Sequence, residues 1–225
     1  MPRTARIVAE GFPHHITQRG NYRQNVFDNP TDMTKYFEFI SMYTNKYNVK
    51  ILSYCLMNNH VHFIVIPEKT DSISKAFNRA HFRYSQYYNK KKNIKGHLWQ
   101  GRFYSCVIDK DEAYLLAAMK YVERNPVRAK IAKKPWEWKW SSAGYHTGEG
   151  ESDLNVAEIG EFTGINEKEW KKIIEETDKG EQIEEIRKVT GVGRGFGGEG
   201  FIKKLEKELK VTLRILKAGR PKEKK

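Results

Sequence analysis

MNNHVHFIVIPE, residues 57–68, places His60 and His62 two apart at the head of an apolar run. The stretch before it, VKILSYCLM at 49–57, is a strand candidate, and Asn58-Asn59 between the two runs is a turn signal. Two such runs around a two-residue turn read as an antiparallel β-hairpin. Strand side chains alternate, so His60 and His62 share one face with Ile64 and Ile66, their Cα atoms about 6.5–7 Å apart. Val61, Phe63 and Val65 take the other face. Two neutral imidazoles at this spacing can converge on one divalent cation. The competing reading is a pair of ordinary hydrogen-bonded sheet residues. A cation site also needs a third ligand from elsewhere in the chain.

Outward from this hairpin, PHHITQR at 13–19 reads as a short strand that turns at Gly20-Asn21, with one of His14 and His15 pointing into the sheet. From Asp32 to about Tyr47 the apolar residues Met33, Tyr36, Phe37, Ile40, Tyr43 and Tyr47 fall at helical spacing, and NPTD supplies the start. A second helix begins at Asp71 or Ser72. It carries Ile73, Ala76, Phe77, Ala80, Tyr84, Tyr87 and Tyr88 on one side and Lys75, Arg79 and Arg83 on another. The basic loop NKKKNIKGH leads into a fourth strand region, WQGRFYSCVID. A third helix runs from about Asp111 to Arg124 and stops at Asn125-Pro126. The order β-α-β-β-α-β plus a helix predicts an α+β fold of the split βαβ, ferredoxin-like kind. Its antiparallel sheet has helices on one face and the other face free to hold a site.

Beyond about Gly148 the chain is Lys/Glu-rich and reads helical at 166–176 and 199–210. The intervening TGVGRGFGGEG has neither a GxGxxG after a strand nor a Walker lysine, which argues against a nucleotide loop. The expected organisation is a domain over residues 1–147 and a mostly helical extension over 148–225. That extension is expected to be mobile relative to the core and to end in a basic tail.

The chain has 225 residues and a formal net charge of +13. Residues 1–150 hold 24 basic against 12 acidic residues, whereas 151–225 are nearly balanced. A basic, aromatic-rich first two-thirds predicts a polyanion partner with bases to stack on. Cys55 and Cys106 are the only cysteines, without CxxC spacing, so neither a zinc ribbon nor a disulfide framework is indicated. No signal-peptide core and no run of 18 apolar residues is present, which predicts a cytoplasmic protein with no membrane partner.

On the third helix Tyr114, Ala118, Tyr121 and Asn125 share one face. Packed across the sheet end that bears the histidines, Asn125 offers an amide oxygen as third ligand. Two imidazoles and an amide oxygen suit Mg²⁺ or Mn²⁺ better than a structural zinc. One turn earlier, Tyr121 presents a phenol.

At these residues the chain resembles a known family. HVH after an apolar strand is similar to the His-hydrophobe-His motif of HUH single-strand nucleases. YVERNPVRA resembles the tyrosine-bearing helix end of the single-tyrosine transposases. PRTARIVAEGFPHHITQRGN, GHLWQGRF and WKWSSAGYH resemble segments of REP-associated tyrosine transposases, the domesticated relatives of insertion-sequence transposases. The resemblance covers about residues 2–146. It implies cleavage and rejoining of single-stranded DNA at palindromic hairpins through a 5′-phosphotyrosine, by a monomer or a homodimer. It implies Tyr121 as nucleophile, and His60, His62 and Asn125 as metal ligands, Asn125 standing where other members use Gln. It attaches no role to the intervening VER.

Candidate phosphate contacts are Arg19, Arg23, Lys75, Arg79, Arg83, Lys90, Lys91, Lys92, Lys95, His97 and Arg102. Trp99, Phe103 and Tyr104 are candidates for stacking on bases. AGRPKEKK at the end resembles the Gly-Arg-Pro core of minor-groove-binding arms. Two other readings use the same residues: a catalytically silent binder of structured single strands, and a hydrolytic metalloenzyme using activated water with Tyr121 structural. Tyr114 is the rival nucleophile.

Overall fold

A computed structural model describes residues 6–178 and 180–214. Its central strands are β1 (His14–Arg19), β2 (Val49–Met57), β3 (His60–Pro67) and β4 (Tyr104–Ile108). Helix α1 (Pro30–Lys46) follows β1, α2 (Ser72–Lys92) joins β3 to β4, and α3 (Glu112–Glu123) follows β4. The strands lie in the order β2-β3-β1-β4, every neighbouring pair antiparallel. This is the α+β, ferredoxin-like arrangement that the sequence predicts. Local chemistry sets the helix starts: the Asn29 side chain accepts from the Asp32 N–H and that of Asp111 from the Ala113 N–H. The β2–β3 hairpin turns at Asn58-Asn59 with Met57 opposite His60. The fourth strand is shorter than WQGRFYSCVID suggests, because the chain enters it only at Tyr104.

The alternation read from β3 holds. Val61, Phe63 and Val65 pack with Ile16 against Tyr36, Phe37, Phe77 and Tyr84 of α1 and α2. Ile64 and Ile66 lie on the opposite face, with Leu52, Cys55 and Cys106, against Leu115, Ala118 and Val122 of α3. That second face is not free, as the sequence reading had it. Beyond α3 come the short helices α4 (Asn125–Arg128), α5 (Ala143–His146) and α6 (Ile159–Thr163). They are followed by α7 (Glu167–Glu175), α8 (Gly180–Val192), strand β5 (Gly195–Phe196) and α9 (Glu199–Leu209). Trp170, Ile174, Ile186 and Val189 are buried in the same cluster as Ile64.

The extension expected to hang apart from the core is therefore built into it, because amphipathic α7 and α8 need an apolar partner and the second sheet face supplies one. The Gly-rich stretch is also structured. β5 adds parallel to β4, with Val107 opposite Gly195 and Ile108 opposite Phe196. A Cβ at Gly195 would sit 2.5 Å from Ile202 Cδ1, and one at Gly197 would sit 2.7 Å from Asp109 Cβ, so glycine is what lets this strand approach. Among the described residues no helix is long and apolar enough to cross a membrane. The AGRPKEKK tail lies outside the described residues.

Candidate active site

Strand β3 carries His60 and His62 to one face, their ring centroids 5.0 Å apart. On the neighbouring β1, Arg19 stands opposite His60 and Thr17 opposite His62. Helix α3 sets the Tyr121 ring edge-on to His62, with centroids 5.8 Å apart. Asn125, just past the end of α3, stands within reach of the His60 ring. These residues line one cleft of about 590 Å³ with Gln100, Tyr104, Arg128, Arg187 and Thr190. The four residues that the sequence assigns to ligation and attack are thus brought together. Tyr114, the rival, packs edge-on to Phe196 at 5.1 Å and does not line this cleft.

The hydrogen bonds fix which ring atoms face the cleft. Asn59 donates its amide N–H to the Arg23 carbonyl, so its Oδ1 is the acceptor turned to His60 Nδ1, 2.6 Å away. His60 therefore carries its proton on Nδ1, and Nε2 is a lone pair. Nδ1 being taken, the Asn125 contact falls to Nε2. The Asn125 amide nitrogen is buried without a partner among the described residues, so its oxygen is the atom turned to His60. Among the described residues no group of three or more His, Cys, Asp or Glu converges on a metal position. The set His60, His62 and Asn125 would offer two imidazole nitrogens and one amide oxygen and no thiolate, a donor set compatible with a six-coordinate divalent cation rather than with a closed structural zinc site.

Both rings stay neutral well below pH 7. Burial, then Arg19, lowers the His60 pKa to about 4 against an opposing contribution from Asn125. Burial, then His60, His15, Arg128 and Arg19, holds His62 well below the usual histidine value. Burial and Arg128 lower His15 to about 3. A ring that resists protonation keeps its lone pair for ligation.

Sequence reasoning missed how the end of α3 is held. Glu123 is fully buried. His146 Nδ1 (2.6 Å), the Ser142 hydroxyl (2.6 Å) and the Ser53 hydroxyl (3.1 Å) meet its Oε1, and Trp170 Nε1–H donates to its Oε2 at 2.8 Å. Burial pulls the His146 pKa down, but the Glu123 charge and hydrogen bond and the Ala157 carbonyl outweigh it, so the net shift is upward. The glutamate of VER and the Ser142 and His146 of WKWSSAGYH are therefore one buried unit clamping the Tyr121 helix to β2. On the outer side Arg124 and Arg128 pair with Asp178 at 3.0 and 3.3 Å. The Arg128 guanidinium lies 4.4 Å from the Tyr121 ring centroid and donates to the Tyr121 carbonyl. Arg187 of α8 hydrogen-bonds to the Tyr121 side chain. Arg128 had a signal, lying seven residues after Tyr121 and so on its side of the helix. Arg187, Thr190 and the role of His15 had none.

The match to known proteins follows this geometry. Residues 10–125, over half the chain, match the model of the family described as Transposase IS200 like. The chain belongs to the IS200-like transposases. This transposase also superposes, with a TM-score of 0.54 and 19% identity, on a REP-associated tyrosine transposase bound to a REP hairpin, over 70% of this chain and 92% of that one. That likeness establishes a shared fold. A putative transposase from Deinococcus radiodurans aligns at 15% identity and a TM-score of 0.36, over 58% of this chain and 92% of its own. No curated protein matches the chain.

The expected DNA contacts are sorted by the transposase structure. Arg19 and Tyr104 line the active-site cleft. Arg23, Arg79, Arg83, Lys95, His97 and Arg102 are exposed, the last two along a groove beside α2. Trp99 and Phe103 are corrections: both are buried in the aromatic core, Trp99 donating to the His81 carbonyl, so neither presents a face to a base. Lys91 binds the buried Asp32 carboxylate at 2.6 and 2.7 Å, and Lys92 pairs with Asp28 at 3.0 Å. These two charges are partly neutralised within the fold.

Proposed function

We propose that this IS200-like transposase is of the REP-associated tyrosine type. It nicks and rejoins single-stranded DNA at palindromic hairpins through a 5′-phosphotyrosine formed on Tyr121. The observation that carries the reading is the convergence of Tyr121, His60, His62 and Asn125 in one cleft flanked by Arg19, Arg128 and Arg187. In the strand-breaking step the phenolic oxygen of Tyr121 bonds to the scissile phosphorus and the bond to the 3′-oxygen breaks. The phenolic proton passes to the surroundings and the leaving oxygen becomes a 3′-OH. The ester retains the bond energy, so a second 3′-OH can reverse the step without a nucleotide cofactor. Mg²⁺ or Mn²⁺ at His60, His62 and Asn125 would polarise a non-bridging phosphate oxygen. Arg128 and Arg187 place positive charge beside the attacking ring, and Glu123 fixes the helix that carries it.

A path for the strand supports the same reading. The active-site cleft adjoins a second cleft lined by Arg6, Gln18, Arg102 and Arg194, and that one adjoins the groove beside α2 that holds Asn78, Phe82 and His97. Gln100 lines all three. The solved hairpin complex of the structural relative supports DNA hairpins as the substrate class. Incubating the full chain with a labelled hairpin oligonucleotide and Mg²⁺ or Mn²⁺ tests the proposal. A DNA–protein adduct that survives denaturation is expected. Binding without cleavage would make the chain a silent binder, and cleavage without an adduct would make water the nucleophile.

A further inference from the structure

Helix α8 lies some 55 residues beyond the stretch that matches the family model, yet it reaches the metal-ligand candidates through two buried hydrogen bonds. Thr190 Oγ1 is 2.9 Å from His15 Nδ1, and His15 Nε2 is 2.8 Å from His62 Nδ1. Thr190, His15 and His62 are 5%, 1% and 5% exposed, so water does not substitute for any of them. The Thr190 hydroxyl also meets the buried Cys106 sulfur.

We propose that Thr190 is a positioning residue of the active site: through His15 it fixes the tautomer of His62 and so leaves the His62 Nε2 lone pair facing the cleft. The inference rests on the reading of His62 as a ligand. It follows from proton counting along a closed chain. For His62 to ligate through Nε2, its proton must be on Nδ1. That proton is then donated to His15 Nε2, which must be bare, so the His15 proton is on Nδ1. That one in turn needs an acceptor, and the Thr190 oxygen is placed to be it, because the Thr190 proton is directed to the Cys106 sulfur, whose own proton goes to the Val107 carbonyl. Each imidazole has one proton, so the tautomer at one end sets the tautomer at the other. Reversing the chain would put the His62 proton on Nε2, pointing into the cleft, where it excludes a cation. His60 reaches the same tautomer by the short route through Asn59. His62, deeper in the sheet, reaches it only through an element at the far end of the chain. Ligand-orienting partners of this kind are worth about 10- to 100-fold in metal affinity.

Thr190→Val keeps the shape of the side chain and removes the acceptor; Thr190→Ser keeps the acceptor. Mn²⁺ alone, titrated into the full chain and followed by its paramagnetic resonance signal, should bind the valine variant about 10- to 100-fold more weakly than the native protein. The serine variant should bind within a few-fold of native. Independently of any variant, nitrogen-15 NMR of the histidine-labelled, metal-free protein should show both His15 and His62 as Nδ1–H tautomers. A serine variant as impaired as the valine one would reduce Thr190 to a packing residue and overturn the proposal. So would native-like Mn²⁺ affinity in the valine variant, or a proton on Nε2 of either ring in the native protein. If the native chain binds no Mn²⁺, the metal reading of the site fails and the proposal with it. Native binding with an unaffected valine variant fails the proposal alone.

Discussion

On the α1–α2 face of the sheet, Phe63, Phe77, Tyr36 and Tyr84 fill the interior with rings. On the α3–α8 face the same strands present His15, Ser53 and His62, and the chain that covers them brings Tyr121, Glu123, His146 and Thr190. Apart from the His81 contacts with Tyr36 and Trp99, the first face is held by area and shape, which tolerate exchange among apolar residues of similar volume. The second contains buried donors and acceptors, each of which needs one partner at one place. Specific geometry is stored on the second face, and the proposed chemistry uses it there.

The sharpest break between the faces is expected at Tyr121. Tyr121→Phe removes one oxygen and should abolish the covalent DNA adduct while hairpin binding persists; an adduct on denaturing gels from the Phe variant would end the assignment.

Next comes Glu123. Glu123→Gln removes the carboxylate that His146, Ser142, Ser53 and Trp170 all meet in a buried site and should cost about 3–5 kcal/mol. Ile16→Leu on the aromatic face should cost less than about 1.5 kcal/mol. Urea unfolding of the two variants side by side measures the contrast, and equal costs would erase it.

Acidification acts on the aromatic face as well. Burial lowers His14 to about 4 and, together with Arg6, lowers His81 to about 3. An unfolded chain takes up these protons below about pH 6.5 and the folded one does not. Stability is therefore expected to fall as pH drops from about 6.5 towards 4, each such histidine contributing up to about 1.4 kcal/mol per pH unit. His81 sits on the aromatic side, bonded to the Tyr36 hydroxyl at 2.9 Å. A His81→Phe chain should lose stability less steeply in thermal melts across this range, and an unchanged slope would show that His81 is already protonated when folded.

The smallest effect separates lysines by their partners. Lys95→Ala should weaken hairpin binding a few-fold and reduce its salt slope by about one ion. Lys91→Ala should leave that slope nearly unchanged, because Lys91 is engaged by Asp32. Filter-binding isotherms over a salt series compare them.

The β2–β3 hairpin, the two-sided alternation of β3, the start of α2 and the shared face of Tyr121 and Asn125 were all legible, because each depends on residues within a few positions of one another. Trp99 was misread because an aromatic beside a basic loop looks the same whether it turns outward or inward; only the approach of His81 decides it. The Glu123 unit was illegible for a different reason. Its partners come from residues 53, 142, 146 and 170, and no local pattern announces a pairing across such separations. α8 escaped because GEQIEEIRKVTGV has a sparse apolar stripe and runs into glycines, which read as a loop until β5 is seen beside β4.

That two-residue strand has a consequence for how the chain can be cut. β5 shields the outer edge of β4, and its Gly195 N–H reaches the Leu213 carbonyl. A fragment ending where the family match ends, at residue 125, would bare the hydrogen-bonding edge of β4 and the apolar face under Trp170 and Ile186 together. An open strand edge beside uncovered apolar surface is a template for pairing with another chain. Such a fragment is expected to self-associate before it can be asked to cut DNA. What the family motifs mark out is thus a length of sequence, and the smallest folding unit is expected to be longer than it.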